Sequence, residues 1–315
     1  MRSVSRLHTS SLVISKISKQ FSTSLKGKNL VCISELTNDE LNGLINHSID
    51  LKKAWNTDAN KARSLQPLKG QTMSMIFQKR STRTRVSTES GMFMLGGHSL
   101  MLGPQDIQLG VNETLRDTAN VLCRFNDIIL ARVFAHADIT ELIKYSKVPV
   151  INALSDKYHP LQTLADLMTL REHFGELKGK TLSWVGDGNN VLHDLMIGSI
   201  KLGMHVRVAT PKGYDADAEI IATAHTLAKQ NNVTLTFTND PREAVYNTNV
   251  IVTDTWVSMG QEEEAKKRKL DFAGYVPLPL LPPCLSNIRF LILHILSLYL
   301  PLTISICLYL SIGIR

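Results

Sequence analysis

The chain has 315 residues, of which 43% are apolar, so it is long enough for two domains and too apolar to be disordered throughout. Its formal net charge of +7 does not indicate nucleic-acid binding, because residues 1–28 hold six basic residues and no acid, which leaves the rest nearly neutral. The cysteines lack C-x-x-C spacing, which excludes a typical zinc site and any evident disulfide framework, and fits a reducing compartment.

Residues 1–25 are predicted to be a mitochondrial transit peptide. The segment is rich in serine, contains arginine and lysine, and spaces Leu12, Val13, Ile14 and Ile17 as a short amphipathic helix would. A merely disordered N-terminus is the alternative. The transit-peptide interpretation predicts that the protein resides in the mitochondrial matrix.

The first half of the chain alternates apolar strands with amphipathic helices. A capping sequence at 37–40 precedes a helix whose apolar residues include Leu41, Leu44 and Ile45. Further along, the pattern predicts strands at 73–77, 128–133 and 148–153, and helices at 84–94 and 121–127.

The second half repeats this alternation. Strands are predicted at 181–186, 205–209, 234–238 and 249–254, helices at 190–202 and 216–230, and a linking helix at 159–176. The fold class is therefore α/β, with two domains that each contain a parallel sheet flanked by helices and that are joined by an interdomain helix. The expected domains are 26–158 and 177–275, and chemistry is expected at the carboxyl ends of the strands.

A short polar segment follows the first strand, at Ser81-Thr82-Arg83-Thr84-Arg85. It places hydroxyl groups and two guanidinium groups at the start of a helix, where free backbone N–H groups already favour an anion. This pentapeptide predicts a phosphate site. An exposed basic turn with ordinary helix capping is the alternative.

Four further groups follow other strands or open the linking helix. They are Arg132, the run His159-Pro160-Leu161-Gln162, the run Gly186-Asp187-Gly188-Asn189-Asn190, and the run Asp254-Thr255-Trp256-Val257-Ser258-Met259-Gly260. Together with S-T-R-T-R, these motifs resemble the aspartate/ornithine carbamoyltransferase family over about residues 28–275. The motif D-T-W-x-S-M-G resembles that of the ornithine branch of the family rather than that of the aspartate branch.

The resemblance implies transfer of a carbamoyl group from carbamoyl phosphate to the δ-amine of L-ornithine, giving L-citrulline, with no metal or organic cofactor. It implies that carbamoyl phosphate is bound by Ser81, Thr82, Arg83, Thr84, Arg132, His159, Gln162 and, from a neighbouring subunit of a homotrimer, Gln108. It also implies that Arg132 and His159 have the catalytic role of donating to the carbonyl side. The implied ornithine ligands are Asn190, Asp254, Ser258 and Met259.

Single residues of this set have simpler interpretations. His159 could only cap its helix, and Asp254 could only form a turn at the end of a strand. The run from Gly186 to Gly188 could belong to a dinucleotide fingerprint, but Val191 occupies the position of the third glycine.

The resemblance stops near Tyr275. Residues 276–315 form a divergent apolar tail, with an uncharged run at 290–314 and no His-Cys-Leu-Pro segment, so the second domain is expected to be incomplete, with an unpaired sheet edge and exposed apolar faces. The resemblance implies that the cysteine of the His-Cys-Leu-Pro segment transfers a proton during the reaction. Because that segment is missing, we expect no turnover from this exact chain. The alternatives are a tail of normally non-coding origin, a non-catalytic carbamoyl-phosphate binder or trimer subunit, and a membrane-tethered protein.

Overall fold

The computed structural model describes residues 25–107, 113–256, 264–275 and 290–293, and the chain divides into two compact units. Within the described part, the first unit consists of residues 25–31 and Glu35–Ser155, and the second begins at Asp156 and also includes Cys32–Ser34. Each unit contains one parallel sheet with helices, which confirms the predicted α/β class.

The first unit is built on a four-stranded parallel sheet with the order β2-β1-β3-β4. Its strands are β1 Thr72–Phe77, β2 His98–Leu102, β3 Ile128–Arg132 and β4 Val150–Leu154. Its helices are α1 Asn38–Thr57, α2 Ala59–Ser64, α3 Thr82–Met94, α4 Leu115–Phe125 and α5 His136–Tyr145.

Local sequence explains the best-formed elements of this unit. In β1, Met73 and the four residues after it are all buried, as expected for a strand covered on both faces. Helix α1 begins with a capping box, in which the Glu40 N–H donates to the Thr37 hydroxyl at 3.1 Å and the Thr37 N–H donates to the Glu40 carboxylate at 2.9 Å. The expected apolar face of α1 is buried through Leu41 and Ile45.

The second unit is built on a five-stranded sheet with the order β7-β6-β5-β8-β9. Its strands are β5 Thr181–Val185, β6 His205–Ala209, β7 Leu235–Thr238, β8 Val250–Thr253 and β9 Phe290–Leu293. Its helices are α6 Pro160–Phe174, α7 Asn190–Lys201, α8 Ala218–Gln230, α9 Pro241–Val245 and α10 Ala265–Asp271. Helix α6 corresponds to the predicted linking helix and groups with this unit.

The expectation of an unpaired edge beside β8 is wrong. Strand β9 pairs in parallel with β8, with Val250 opposite Phe290 and Thr253 opposite Leu293. The backbone N–H and C=O groups of an edge strand pair with any extended segment that reaches them, so a divergent sequence can fill this position.

Most of the apolar tail, including the predicted run at 290–314 beyond Leu293, lies outside the described residues. Among the residues that the structure does describe, no helix has the length and apolar content needed to cross a membrane.

Candidate active site

The predicted phosphate site forms the N-terminus of α3. Ser81 is the N-cap residue, and its hydroxyl accepts a hydrogen bond from the Thr84 N–H at 3.2 Å and donates to the Thr84 hydroxyl at 2.9 Å. Thr84 is buried, whereas Thr82 and Arg83 are exposed at the first turn. The capped end fixes the loop after β1 and directs the first-turn N–H groups toward a possible anion.

A second cation lies close to this helix end. Arg132 is the last residue of β3 and stands opposite Phe77, the last residue of β1, so the two strands end side by side. Burial, and to a smaller extent the positive charge of Arg83, together lower the pKa of Arg132 to about 10. Two guanidinium groups that repel each other beside a helix N-terminus form a site that an anion would stabilise.

The other arginine of the pentapeptide has a different environment. Arg85 is exposed, and its Nε donates to Glu89 at 3.0 Å, one helical turn later. It therefore forms an ordinary surface ion pair of α3. Gln108, the residue expected to reach a neighbouring subunit, lies outside the described residues.

His159 occupies the N-cap position of α6 and is buried. Its side chain makes no capping hydrogen bond, so the interpretation that His159 only caps the helix is wrong. Its backbone N–H donates to Asp194 Oδ2 at 2.9 Å, and the Ile33 N–H donates to Asp194 Oδ1 at 2.8 Å. One fully buried carboxylate in α7 thus anchors the residue that precedes α6.

Gln162 lies one turn into α6 and is also buried. Its Nε2 donates to Asp166 Oδ1 at 2.9 Å, four residues later. Because Nε2 donates to this carboxylate, the contact fixes the orientation of the Gln162 amide and directs its oxygen away from Asp166. The amide oxygen is then the group that Gln162 can offer to an N–H donor.

The loops after β5 and β8 meet at their polar residues. Asn189 caps α7, with its Oδ1 accepting from Val191 N at 3.0 Å, and its Nδ2 donates to Asp254 Oδ2 at 2.9 Å. Asp254 Oδ1 accepts from its neighbour Thr255 N at 2.7 Å, so the turn-forming interpretation describes one of its two oxygens. Asn190 is the first residue of α7 and lies beside this pair in sequence.

Two other predicted residues of this site, Ser258 and Met259, lie outside the described residues.

The loop after β5 requires glycine at position 188, because a Cβ on Gly188 would lie 2.3 Å from the backbone nitrogen of Ala216. Val191, at the third position of the weak dinucleotide motif, is a buried residue of α7.

His193 joins α7 to two neighbouring segments. Its Nδ1 lies 2.8 Å from the Lys157 carbonyl oxygen, and its Nε2 accepts from the Asp217 N–H at 3.1 Å. The two contacts require the neutral ring with the proton on Nδ1. Burial lowers the pKa of His193 below its usual value of 6.5, which favours the same neutral form.

Sequence reasoning missed Asn189, Asp194 and Asp166 as supporting residues. The preference of helix N-caps for asparagine could have indicated Asn189. No local pattern indicates the other two, whose partners are set by packing. Over the described ranges, no group of three or more His, Cys, Asp or Glu side chains is arranged to hold a metal ion.

Comparison with known families agrees with this distribution of residues. Residues 28–172 match the carbamoyl-phosphate-binding domain of aspartate/ornithine carbamoyltransferase, and residues 178–279 match the aspartate/ornithine-binding domain. The chain belongs to the aspartate/ornithine carbamoyltransferase family. The anion cradle, formed by Arg132 and the residues from Ser81 to Thr84, lies within the first match, and Asn189 and Asp254 lie within the second.

Individual relatives support the ornithine branch. The mitochondrial ornithine carbamoyltransferase of Aquarana catesbeiana is 50% identical over 80% of this chain and 71% of its own length. The mitochondrial ornithine transcarbamylase of Gallus gallus is 48% identical over 86% and 76%, respectively. The ornithine carbamoyltransferase structure from Pyrococcus furiosus is 39% identical, with a TM-score of 0.83, and the alignment covers 92% of this chain and 99% of that one.

Proposed function

We propose that this chain transfers the carbamoyl group of carbamoyl phosphate to the δ-amine of L-ornithine and releases L-citrulline and phosphate. The observation that carries the proposal is the capped N-terminus of α3, which has Arg83 in its first turn and the charge of Arg132, at the end of β3, acting on it. Backbone N–H groups, hydroxyls and two guanidinium groups are the donors that a phosphate dianion requires. The relatives named ornithine carbamoyltransferase supply the identity of the acceptor.

The proposed chemistry is an acyl transfer through a tetrahedral intermediate. The neutral δ-amine of ornithine forms a C–N bond to the carbonyl carbon, the C–O bond to phosphate breaks, and the amine proton passes to the departing phosphate, which leaves as HPO₄²⁻. Arg132 and His159 are assigned as donors to the carbonyl oxygen, where negative charge develops. Gln162 accepts from the carbamoyl NH₂ group, and its contact with Asp166 supports this orientation.

The remaining assignments concern the two substrates. Ser81, Thr82, Arg83 and Thr84 bind the phosphate side, and Gln108 of a neighbouring subunit completes it. Asp254 faces the ornithine amine, whereas Asn190, Ser258 and Met259 complete the ornithine site. The family resemblance implies no metal or organic cofactor, and the proposal includes none.

The cradle can be tested with Arg83→Ala and with Arg85→Ala as the matched control. Carbamoyl phosphate binding is measured by calorimetry in both variants and in the unchanged chain. We expect Arg83→Ala to weaken binding at least about tenfold, the usual scale for loss of a charge-assisted hydrogen bond, and Arg85→Ala to leave it unchanged. Equal affinity in the Arg83 variant and the unchanged chain would count against the site assignment.

A carbamoyl-phosphate binder without turnover, the outcome expected from the sequence alone, is the second candidate. It is favoured because the acceptor-domain match ends at residue 279 and the chain has no His-Cys-Leu-Pro segment. The two candidates differ in one pair of measurements, which are binding of a phosphonoacetyl-ornithine bisubstrate analogue and formation of citrulline. Binding with citrulline formation supports the transferase, and binding without it supports the second candidate.

We also propose a homotrimer in the mitochondrial matrix. The exposed apolar side chains of Val86 and Phe93 on α3 and Leu100 on the edge strand β2 support an interface on the first unit. Sedimentation of Phe93→Lys should shift toward the monomer, whereas Leu270→Lys on the second unit should not shift it. Import into isolated mitochondria with loss of an N-terminal segment tests the location.

A further inference from the structure

One side chain of α10 contacts both loops of the ornithine half of the site. Arg268 is buried, and one of its terminal nitrogens, Nη1, donates to Asp187 Oδ2 at 2.7 Å and to the Trp256 carbonyl oxygen at 3.2 Å. Its Nε donates to Glu264 at 3.2 Å, and its guanidinium lies 5.0 Å from the centre of the Tyr214 ring. The loop after β5 and the loop after β8 are therefore bonded to the same planar group.

These two loops carry the residues assigned to the acceptor substrate. Asp187 lies two residues before Asn189 in the loop after β5, and Trp256 lies two residues after Asp254 in the loop after β8. Asn189 joins the loops directly through its hydrogen bond to Asp254. Arg268 provides the second connection between them, on the side of α10.

The charges of this cluster explain why an arginine is needed. Burial raises the pKa of Asp187, and the nearby Asp254 carboxylate raises it further, while Arg268 opposes both effects. Burial also opposes the charge of Arg268, but its hydrogen bond and ion pair with Asp187 outweigh burial and raise its pKa. Arg268 thus compensates Asp187, whereas Asp254 forms no ion pair with a cation among the residues that the structure describes.

We propose that Arg268 is a positioning residue for ornithine, which holds the loops after β5 and β8 in the geometry that presents Asp254 to the substrate amine. The inference rests on the proposed function. It extends that function, because it places the control of acceptor binding in α10, outside every residue assigned to the site. A lysine cannot replace the arginine, since one ammonium group lacks the planar fork that bonds several acceptors in fixed directions.

The test compares two probes in the full chain by calorimetry. Inorganic phosphate reports on the cradle of the first unit, and the phosphonoacetyl-ornithine analogue reports on both halves of the site. We expect Arg268→Lys to weaken binding of the analogue at least about tenfold, which is the scale of one lost charge-assisted hydrogen bond. The affinity for phosphate should not change. Glu264→Gln neutralises an exposed Arg268 partner at the N-cap of α10, ten residues after Asp254, and should change neither affinity.

Asp187→Asn repeats the test from the other side of the ion pair if the lysine variant does not fold, and the same selective loss is expected. An unchanged affinity for the analogue, or an equal loss for both probes, would overturn the positioning role. If the unchanged chain binds phosphate but not the analogue, the positioning role is also overturned, whereas the phosphate site of the first unit is supported. Unchanged chain that binds neither probe overturns the proposed function itself, and this inference with it.

Discussion

Replacing Asp194 by asparagine tests how the second unit holds the backbone next to the proposed catalytic histidine. The Asp194 carboxylate is fully buried and accepts from Ile33 N at 2.8 Å and from His159 N at 2.9 Å. Asparagine keeps one acceptor oxygen and directs an NH₂ group toward the other N–H donor. One charge-assisted hydrogen bond is lost and one buried N–H loses its acceptor.

Each of these effects has a known scale. A hydrogen bond to a charged group contributes about 1.5–3 kcal/mol, and an unsatisfied buried donor costs about 1–3 kcal/mol. The two values overlap, because the lost bond and the unsatisfied donor describe partly the same change in free energy. We therefore expect Asp194→Asn to lower the free energy of unfolding of the second unit by roughly 2–4 kcal/mol. Urea unfolding followed by tryptophan fluorescence measures this, because Trp184 of β5 is fully buried in the same unit.

A matched control lies on the same helix. Ser199 is also fully buried, and its hydroxyl has no hydrogen-bond partner among the described residues, so Ser199→Ala should leave stability unchanged or raise it slightly. The opposing argument is that a buried charge costs more to desolvate than its bonds return. An Asp194→Asn variant as stable as the unchanged protein would support that argument and refute ours.

Three other expectations concern α6, the loop after β5 and α7. Asp166→Asn should weaken phosphonoacetamide binding several-fold, because asparagine can also donate and no longer fixes the Gln162 amide, whereas phosphate binding should not change. Gly188→Ala should lower the free energy of unfolding by about 3 kcal/mol in urea titrations, since its Cβ would clash with Ala216 N. The buried His193 should make stability fall as the pH decreases below about 6.5, because the unfolded chain then takes up a proton that the folded ring resists.

Two of these expectations have matched controls. Gly179→Ala, where no atom lies within 4 Å of the added Cβ, should cost only about 1 kcal/mol for its positive φ, and an equal loss at both glycines would contradict the steric argument. For His193, replacement by glutamine should flatten the dependence of unfolding free energy on pH. A slope that the glutamine variant retains would assign the proton uptake to other groups.

Much of the fold is local information. The strand β1 and the helix α1 are predicted from an unbroken apolar run and a capping box, and both form where expected. The edge strand β2 is not predicted, because its residues are largely exposed or half-buried and show no sustained apolar run. Its position is decided by pairing with β1 along the whole strand, which no local pattern describes.

The candidate site divides in the same way. The pentapeptide from Ser81 to Arg85 predicts an anion site by itself, because the chemistry of its side chains and the end of the preceding strand are both visible in sequence. Sequence treats its two arginines alike. The tertiary structure separates them, since Arg83 interacts with Arg132 whereas Arg85 pairs with Glu89 on the surface of α3.

The sequence by itself therefore determined the α/β alternation, the phosphate-binding segment and the family, because periodic burial and contiguous motifs are encoded over a few neighbouring residues. The tertiary structure decided the connections between distant segments. Asp194 joins Ile33, 161 residues away, to His159, and Arg268 bonds Asp187 across 81 residues. It also decided that Phe290–Leu293 pairs with β8. Such contacts depend on which segments the folded chain brings together, and hydrophobic periodicity carries no information about that.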